Sequence, residues 1–517
     1  MESPQHYGLN HEEWRPYQYE SVRWLIDSPP SAISILECPT GSGKTAIATA
    51  ATHRSRAISV CSTKMLQEQY HRLYDWNILM GKSNYECLNV EGRSGTLTAE
   101  DCLYDNMHSC PYYCPYVQAL RVALGSNRLS VNYHLWLSNR CVHTNVDRLI
   151  LDEGHLLPDI VLDWTGITLR HNTISEWGLP TPPVISSSSI SMFSDINPIE
   201  DTLLWLDKSI EYMRNTKSAI CSRQPTESQR ETLRRAERLI GKLNSTYTAL
   251  QDHSSEWFIN SDGFDFEARP LTARYHFPAM FGDAGSVIMS ATIGKVETYA
   301  RELGIKNYRF RTVPSIWPPS TRPVYVLDSP GMGYKAKPID FDHQAKQIYD
   351  FITCFPSEWP GLILVTRIAE AHRLKTRLEK LGLATRVWDF PITSTREQLR
   401  QWRKRCDRVP NTIGITWSLW EGYDGIDEKI LIVAKIPFPS IGDCNSYEYQ
   451  RMRYDPHFYR LQTAYKLEQG LGRVRRGEPA HYDTDEEVRK AVAIADGNLS
   501  MVKSYISESL RESLVSV

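Results

Sequence analysis

The sequence lacks the features that would place the chain in a membrane or outside the cell. It contains no apolar run of roughly 18 residues, the length that a membrane-spanning helix requires. The first residues, Met1 to His11, are polar and lack the apolar core of a signal peptide. We therefore expect a cytoplasmic protein without a membrane partner.

An excess of positive charge is also missing. The formal net charge is −2, so any nucleic-acid surface must be local. The 11 cysteines are an odd number in a chain without an export signal, so we expect no disulfide framework. With 517 residues, of which 41% are apolar, the chain can form several folded domains.

The most informative stretch is the loop from Glu37 to Thr45. It follows the apolar run 32–36 and precedes the helix-favouring run 46–51, which predicts a strand, a tight loop and a helix. Glycines allow such a loop to point its N–H groups at phosphate, and the new helix adds its positive end. Cys38 stands where the general pattern has glycine, and a plain linker is the alternative. The residues predicted to hold nucleotide are Thr40, Gly41, Ser42, Gly43, Lys44 and Thr45, with Thr45 also facing Mg²⁺.

Two further signals fit a nucleotide hydrolase. Gln18 precedes the loop and carries an amide that can read the adenine edge, although a surface glutamine is the commoner interpretation. A predicted strand ends in Asp152 and Glu153, where Asp152 would hold Mg²⁺ and Glu153 would activate water. His155 follows directly and could couple this site to neighbouring elements.

A group of cysteines lies between these two motifs. A four-thiolate site could hold zinc or an iron–sulfur cluster, and the absence of paired CxxC spacing favours iron–sulfur. Unligated cysteines are the alternative. The four residues are Cys87, Cys102, Cys110 and Cys114.

The second half of the chain predicts an insertion and then a second α/β unit. Two amphipathic helices are expected at 198–219 and 226–251, and Ser290-Ala-Thr292 ends a strand that returns to the first sheet. Strands are expected at 323–327, 361–365, 384–388, 412–416 and 429–433. The densest basic run, 396–408, is interpreted as a solvated helix face, with nucleic-acid contact as the alternative.

Two motifs lie near the end. Ser418 to Gly425 is expected to form a turn-rich loop that includes Asp424, and Gln469 to Arg476 places two arginines on one helix face. Arg473 and Arg476 could clamp a γ-phosphate and stabilise charge in the transition state.

In this order the motifs resemble the superfamily 2 helicases, and the four cysteines and the helical insertion resemble the XPD/DinG branch. Asn132-Tyr-His134 and Lys435-Ile-Pro-Phe-Pro439 are also similar to that branch. The resemblance implies an α/β fold with two RecA-like parallel-sheet domains, an iron–sulfur insertion and an arch-like helical insertion. It also implies that Gln18 and Asp424 serve nucleotide binding, that Gln469, Arg473 and Arg476 act from the second domain, and that the cysteines hold a [4Fe–4S] cluster.

The expected domain boundaries follow from this resemblance and from changes in composition along the chain. Domain 1 would comprise 1–81, 119–160 and 266–319, interrupted by an iron–sulfur domain at 82–118 and an arch at 161–265, with domain 2 at 320–517. Two departures stand out: Gly154 replaces a common alanine, which we expect to be a mild change, and Asn498 replaces a familiar arginine. The short chain suggests a virus or mobile element as its source.

The activity that this resemblance implies is ATP-dependent movement 5′ to 3′ along single-stranded DNA, with unwinding of forked duplexes. ATP, Mg²⁺ and the [4Fe–4S] cluster would be the cofactors, and the protein would act as a monomer. Two alternatives remain open. One is a translocase or remodeller that does not separate strands, and the other is a zinc-stabilised nucleic-acid binder with a degenerate ATP site.

Overall fold

The computed structural model of the protein contains two parallel sheets, each at the centre of one domain, and the two domains meet at a cleft. It describes residues 2–29, 32–39, 41–88, 98–101, 114–185, 198–221, 227–254, 256–281, 285–315, 323–409, 411–420, 428–472 and 490–517. Thr40, Cys102, Cys110, Asp424, Arg473 and Arg476 lie outside these residues. Among the described helices, none combines the length and the apolar character needed to cross a membrane.

Domain 1 is built around a seven-stranded parallel sheet with the order β11-β1-β10-β5-β2-β4-β3. Its central strands are buried along almost their whole length because helices cover both faces. The first part of the domain contains α1 (Gln18–Ile26), β1 (Ile33–Glu37), α2 (Lys44–Ala51), β2 (Ala57–Cys61), α3 (Lys64–Tyr74), β3 (Asn77–Ile78), α4 (Pro115–Gly125), β4 (Arg128–Asn132), α5 (Tyr133–Ser138), β5 (Arg148–Asp152) and α6 (Leu157–Thr165).

The arch interrupts this domain after α6. Its helices pack on a four-stranded antiparallel sheet with the order β6-β9-β8-β7, which the sequence interpretation did not contain. The sheet extends to Pro270, beyond the expected end at 265. The elements are β6 (Ile167–Leu169), α7 (His171–Trp177), β7 (Val184–Ile185), α8 (Pro198–Cys221), α9 (Glu227–Asp252), β8 (Trp257–Asp262) and β9 (Phe266–Pro270).

Four elements then complete domain 1: α10 (Phe277–Phe281), β10 (Ser286–Ser290), α11 (Val296–Glu302) and β11 (Tyr308–Thr312). As expected, β10 inserts in the first sheet, between β1 and β5. This position brings the end of β10 beside the ends of β1 and β5. The phosphate loop, 37–45, begins at the end of β1, and the acidic pair, Asp152 and Glu153, lies at the end of β5.

Domain 2 is a second parallel sheet, with the order β14-β15-β13-β16-β17-β12-β18. The two-sheet fold predicted from the sequence is therefore confirmed. The elements are β12 (Val324–Val326), α12 (Pro338–Thr353), β13 (Gly361–Leu364), α13 (Ile368–Leu378), β14 (Val387–Asp389), α14 (Thr395–Arg408), β15 (Ile413–Thr416), β16 (Ile430–Val433), α15 (Tyr447–Tyr454), α16 (Pro456–Gly472), β17 (Ala491–Ile494), α17 (Glu508–Glu512) and β18 (Leu514–Ser516).

One strand of domain 2 begins later than expected. The sequence predicts a strand from 384, but α13 continues into a π-helical turn, Glu379–Leu383. Gly382 in that turn has a φ of 110°, which a residue with a side chain rarely adopts. The extra turn delays the extended backbone to Val387.

The return from the arch to domain 1 is fixed by a buried carboxylate. Glu302, 1% exposed, accepts hydrogen bonds from the Thr272 hydroxyl at 3.1 Å and from the Ala273 N–H at 3.2 Å. Its Oε1 lies 3.6 Å from Nη2 of Arg451 in domain 2. Burial raises the pKa of Glu302 to about 7 in spite of the Arg451 charge.

This pKa shift predicts how stability depends on pH. The folded-state pKa of Glu302 lies above the unfolded value of 4.5, so its contribution is complete below pH 4.5 and is lost as pH rises through about 7. Glu302→Gln cannot ionise. We expect the variant to gain stability over wild type by on the order of 2–3 kcal/mol between pH 4.5 and 7. Urea unfolding at several pH values measures the difference. The exposed Glu12→Gln serves as the control, and a constant gap for Glu302→Gln would contradict the prediction.

Candidate nucleotide site and interdomain cleft

The phosphate loop has the geometry that the sequence predicts. It leaves β1 after Glu37, and its two described glycines take left-handed conformations, with φ of 92° at Gly41 and 78° at Gly43. Helix α2 then begins at Lys44, so its first N–H groups and its positive end face the loop. The described part of the loop is therefore shaped to receive phosphate oxygens.

Gln18 braces this loop from helix α1. Its Nε2 donates to the Ser42 carbonyl at 2.9 Å, and its Oε1 accepts from the Arg15 N–H at 3.0 Å. Both ends of the amide are thus used by main-chain groups, and the side chain is buried. The contact of Gln18 with adenine stays a prediction.

Asp152 is buried at the end of β5. Its Oδ1 accepts from the Glu153 N–H at 2.9 Å and its Oδ2 accepts from the Tyr70 hydroxyl at 3.2 Å. Burial, followed by the neighbouring charge of Glu153, raises the pKa of Asp152 to about 6. A carboxylate held in this way is suited to a cation, which would favour its ionised form.

Glu153 faces both the phosphate loop and His155. Its Oε1 lies 3.8 Å from Nζ of Lys44, and its Oε2 lies 3.4 Å from Nδ1 of His155. Its φ of 52° is unusual for a residue with a side chain and turns the backbone into the short helical segment Gly154–Leu156. The strained turn brings Glu153 and Lys44 to one place.

His155 connects three motifs that are far apart in the sequence. Its Nδ1 lies 2.8 Å from the Ser290 hydroxyl at the end of β10, and its Nε2 lies 2.9 Å from Nε2 of Gln469 in domain 2. In this orientation the Gln469 amide donates, so His155 Nε2 accepts and the ring proton lies on Nδ1. The histidine therefore links the acidic pair to domain 2.

A second link, which the sequence interpretation missed, starts at Glu37. Its Oε2 accepts from the N–H groups of Ile293 and Gly294, both at 2.7 Å, just after the Ser290-Ala-Thr motif. From domain 2, the Tyr465 hydroxyl donates to the Ile293 carbonyl at 3.1 Å. Burial raises the pKa of Glu37 to about 7. The signal that could have revealed it is a charged residue at the end of an otherwise buried strand.

The expectation that Gly154 is a mild departure is wrong for this chain. A Cβ atom at Gly154 would lie 2.3 Å from Cγ2 of Ile288, which is fully buried in β10. The Gly154 carbonyl also accepts from the Tyr299 hydroxyl at 2.5 Å. Close packing of the acidic turn against β10 thus requires glycine here.

Domain 2 contributes two structured flanks around the 421–427 segment, which lies outside the described residues. Before it, Trp420 is buried and its Nε1 donates to the Val365 carbonyl at 2.8 Å. After it, Glu428 is buried and accepts from Trp402. Of the three predicted site residues in the last motif, Gln469 lies in the described part of the chain, near the end of α16, whereas Arg473 and Arg476 lie outside it.

The two ends of the cysteine segment, which we define as residues 87–114, lie close together. Cys87 and Cys114 are both partly buried, and between the rings of Tyr85 and Tyr116 the centroids are 5.5 Å apart. Within the described ranges, no group of three metal-binding side chains occurs. Cys102 and Cys110 fall in the residues left out of the structure, so the four-thiolate site stays a prediction.

Comparison with known proteins gives a relative along most of the chain. No protein-family model matches it. The ATP-dependent DNA helicase YoaA of Haemophilus influenzae is 23% identical over 529 aligned positions, covering 86% of this chain and 76% of that protein.

Two solved structures share the fold. A structure of an XPD helicase matches with a TM-score of 0.56 and 14% identity, covering 98% of this chain and all of that one. A structure of apo XPD matches with a TM-score of 0.54 and 13% identity, covering 97% of this chain and all of that one. The sequence relative and the shared fold therefore agree with the resemblance of the motifs to the XPD/DinG-type branch of the superfamily 2 helicases.

Proposed function

We propose that the chain is an ATP-dependent DNA helicase that moves 5′ to 3′ on single-stranded DNA and opens forked duplexes. The observation that carries this proposal is the line of contacts from Lys44 through Glu153 and His155 to Gln469. It joins the phosphate loop of one sheet to the last motif of the other. A ligand that changes the position of Glu153 would thereby bias the cleft between the domains.

The residues at the cleft fit ATP and Mg²⁺. Lys44 and the left-handed loop would hold the phosphates, while the Thr45 hydroxyl and the Asp152 carboxylate supply the oxygen donors that Mg²⁺ prefers. Bound ATP would supply the phosphoanhydride bond whose cleavage drives the cycle. Glu153 would orient the attacking water and take its proton, and Lys44 would neutralise charge at the phosphates. Arg473 and Arg476 are proposed to approach from domain 2.

A path for single-stranded DNA lies between domain 1 and the arch. A cavity of about 930 Å³ is lined by the rings of Tyr133, His134 and Trp164, by the cations Arg234, Arg238 and Lys242, and by the carboxylates of Glu100, Asp159, Asp163 and Glu237. Aromatic rings with basic side chains are the combination that holds single strands without sequence readout. Arg238 of α9 also pairs with Glu100 of the cysteine segment at 2.9 Å, so three parts of the chain border the cavity.

We propose that the cysteine segment holds a [4Fe–4S] cluster through Cys87, Cys102, Cys110 and Cys114. The ring contact between Tyr85 and Tyr116 supports the proposal because it draws the first and last cysteines toward each other. Bound iron would cross-link a stretch rich in glycine and polar residues. Through the Arg238–Glu100 pair, that order would reach the arch.

The assignment of the catalytic pair predicts two different defects. Lys44→Ala should abolish ATP turnover and weaken ATP binding because it removes the charge that faces the phosphates. Glu153→Gln should retain ATP binding but lower turnover by at least about 100-fold because an amide cannot take the proton of water. Steady-state ATPase assays and nucleotide-binding titrations separate the two. Wild-type turnover by Glu153→Gln would show that Glu153 is not the base.

The proposed polarity predicts which DNA is opened. A duplex with a 5′ single-stranded tail should be unwound in the presence of ATP, whereas one with a 3′ tail should not. Strand displacement with labelled DNA measures this, and RNA substrates run in parallel test the choice of nucleic acid. If only the duplex with the 3′ tail is opened, the direction of movement is 3′ to 5′ and the proposed polarity is wrong. ATPase stimulation without displacement would instead favour a translocase that does not separate strands.

The proposed cluster predicts a separable loss. Anaerobically purified protein should contain about four irons per chain, and Cys110→Ser should lose the iron and impair strand separation. Some ATPase activity should survive, because the phosphate loop and the acidic pair both lie at the edge of the first parallel sheet, outside the cysteine segment. Cys354→Ser, a change at an exposed cysteine outside the segment, is the matched control. Zinc in place of iron would contradict the cluster, and no metal with intact unwinding would return the cysteines to unligated residues.

A further inference from the structure

The turn that leads into helix α1, residues 15–18, is bonded to two successive carbonyls of the phosphate loop. Nη1 of Arg15 donates to the Gly41 carbonyl at 2.9 Å, and Nε2 of Gln18 donates to the Ser42 carbonyl at 2.9 Å. Within the turn, Oε1 of Gln18 accepts from the Arg15 N–H at 3.0 Å, and the Gln18 N–H donates to the Arg15 carbonyl at 3.1 Å. The turn and the loop are therefore braced as one unit.

A strained backbone directs Gln18 toward the loop. Tyr17, the residue before it, has a φ of 65°, a conformation that costs free energy in a residue with a side chain and persists where surrounding contacts impose it. The Tyr17 side chain is 42% exposed, whereas Gln18 is 5% exposed. A Cβ atom at Gly43 would lie 2.3 Å from Nε2 of Gln18, so the backbone of the loop packs directly against the amide.

The buried amide of Gln18 is poorly placed to recognise a base. A glutamine that reads adenine uses its donor and its acceptor together on the edge of the ring. In Gln18 both groups are bonded to the main chain, so contact with adenine would break two hydrogen bonds and release the Ser42 carbonyl. Its exposed neighbours Arg15 and Tyr17 carry planar groups, which stack on any base. The turn is therefore better suited to shaping the loop than to selecting adenine.

We propose that Gln18 is a positioning residue that holds the phosphate loop in shape for a triphosphate, and that the chain hydrolyses nucleoside triphosphates with little discrimination between bases. The proposal rests on the nucleotide hydrolysis proposed above and widens its substrate from ATP to purine and pyrimidine nucleoside triphosphates. A site that hydrogen-bonds one group of its substrate rejects analogues without that group by large factors, whereas stacking tolerates every base. The differences between bases should accordingly be small.

The substrate class is tested on the wild-type chain. The value of kcat/KM is measured for ATP, GTP, CTP and UTP with Mg²⁺ and saturating oligo(dT). All four values should lie within about tenfold of one another, because no pair of base hydrogen bonds is gained or lost between them. A preference of more than about tenfold for any one base would overturn the proposed lack of discrimination.

The role of Gln18 is tested with Gln18→Met, which keeps the length of the side chain but removes both of its hydrogen bonds. The probe is inorganic tripolyphosphate, which has no base, and its affinity is compared with that of ATP by titration calorimetry. Loss of the brace should weaken both ligands by a common factor of about threefold to tenfold, and lower kcat/KM equally for all four nucleotides. Unchanged affinity for tripolyphosphate, with weaker binding of ATP alone, would show that Gln18 reads adenine and would overturn the proposal.

The matched control is Glu20→Gln, a change at an exposed position of the same helix, which should retain the wild-type values for every ligand. Thermal unfolding checks that each variant is folded. Gln18→Glu is the second variant: it keeps an acceptor for the Arg15 N–H but sets an oxygen against the Ser42 carbonyl, so it should show the same common loss. If the wild-type chain hydrolyses no nucleoside triphosphate, the proposed function fails. Tripolyphosphate binding still tests the brace in that case, and equal affinities of wild type and Gln18→Met would overturn it.

Discussion

The contact between His155 and Gln469 is the constraint on which the candidate site depends. Each sheet has a hydrophobic cluster of its own and a third cluster spans both sheets, and the predicted chemistry likewise needs groups from both. His155 meets that need because its two ring nitrogens point in different directions, one toward Ser290 in its own sheet and one toward Gln469 in the other. Because Glu153 also lies beside the ring, a movement of domain 2 that shifts His155 would change the surroundings of the acidic pair.

Two buried carboxylates, those of Asp152 and Glu37, lie at the cleft, and burial disfavours their ionised form. Burial raises the pKa of Asp152 to about 6 and that of Glu37 to about 7. Because these values exceed those of the unfolded chain, the stability that the groups contribute is lost as pH rises through 6 to 7. A cation or a positive side chain placed beside these carboxylates favours their ionised form and so stabilises the site. In Glu37 the two main-chain N–H groups provide part of that compensation.

Much of this could be predicted from the sequence, because the motifs lie where apolar strands end. The strand–loop–helix pattern at Lys44 and the strand before Asp152 placed both groups at one edge of a parallel sheet, where the structure has them. Glu37 also stands where a buried strand ends, but its partners could not be predicted, since main-chain N–H groups carry no sequence signal.

The arch sheet escaped prediction for a related reason. Two of its strands are short, with three residues in β6 and two in β7, and β8 and β9 form the sheet by pairing with each other and with these distant partners. The late start of β14 depends on the conformation of Gly382, which composition does not specify. Local pattern thus identifies elements that are buried on both faces better than those stabilised by remote pairing.

Helix α6 explains how events at the acidic pair could reach the rest of the molecule. It begins just after His155 and ends where the first strand of the arch begins. On its exposed side, Asp159 accepts from Arg451 at 3.1 Å and from Gln462 at 3.0 Å, both in domain 2. Near its end, the Trp164 carbonyl accepts from the Ser245 hydroxyl of arch helix α9 at 3.0 Å. One short helix therefore joins the acidic pair, domain 2 and the arch, so a shift of domain 2 that moves α6 would also move the wall of the cavity that α9 borders.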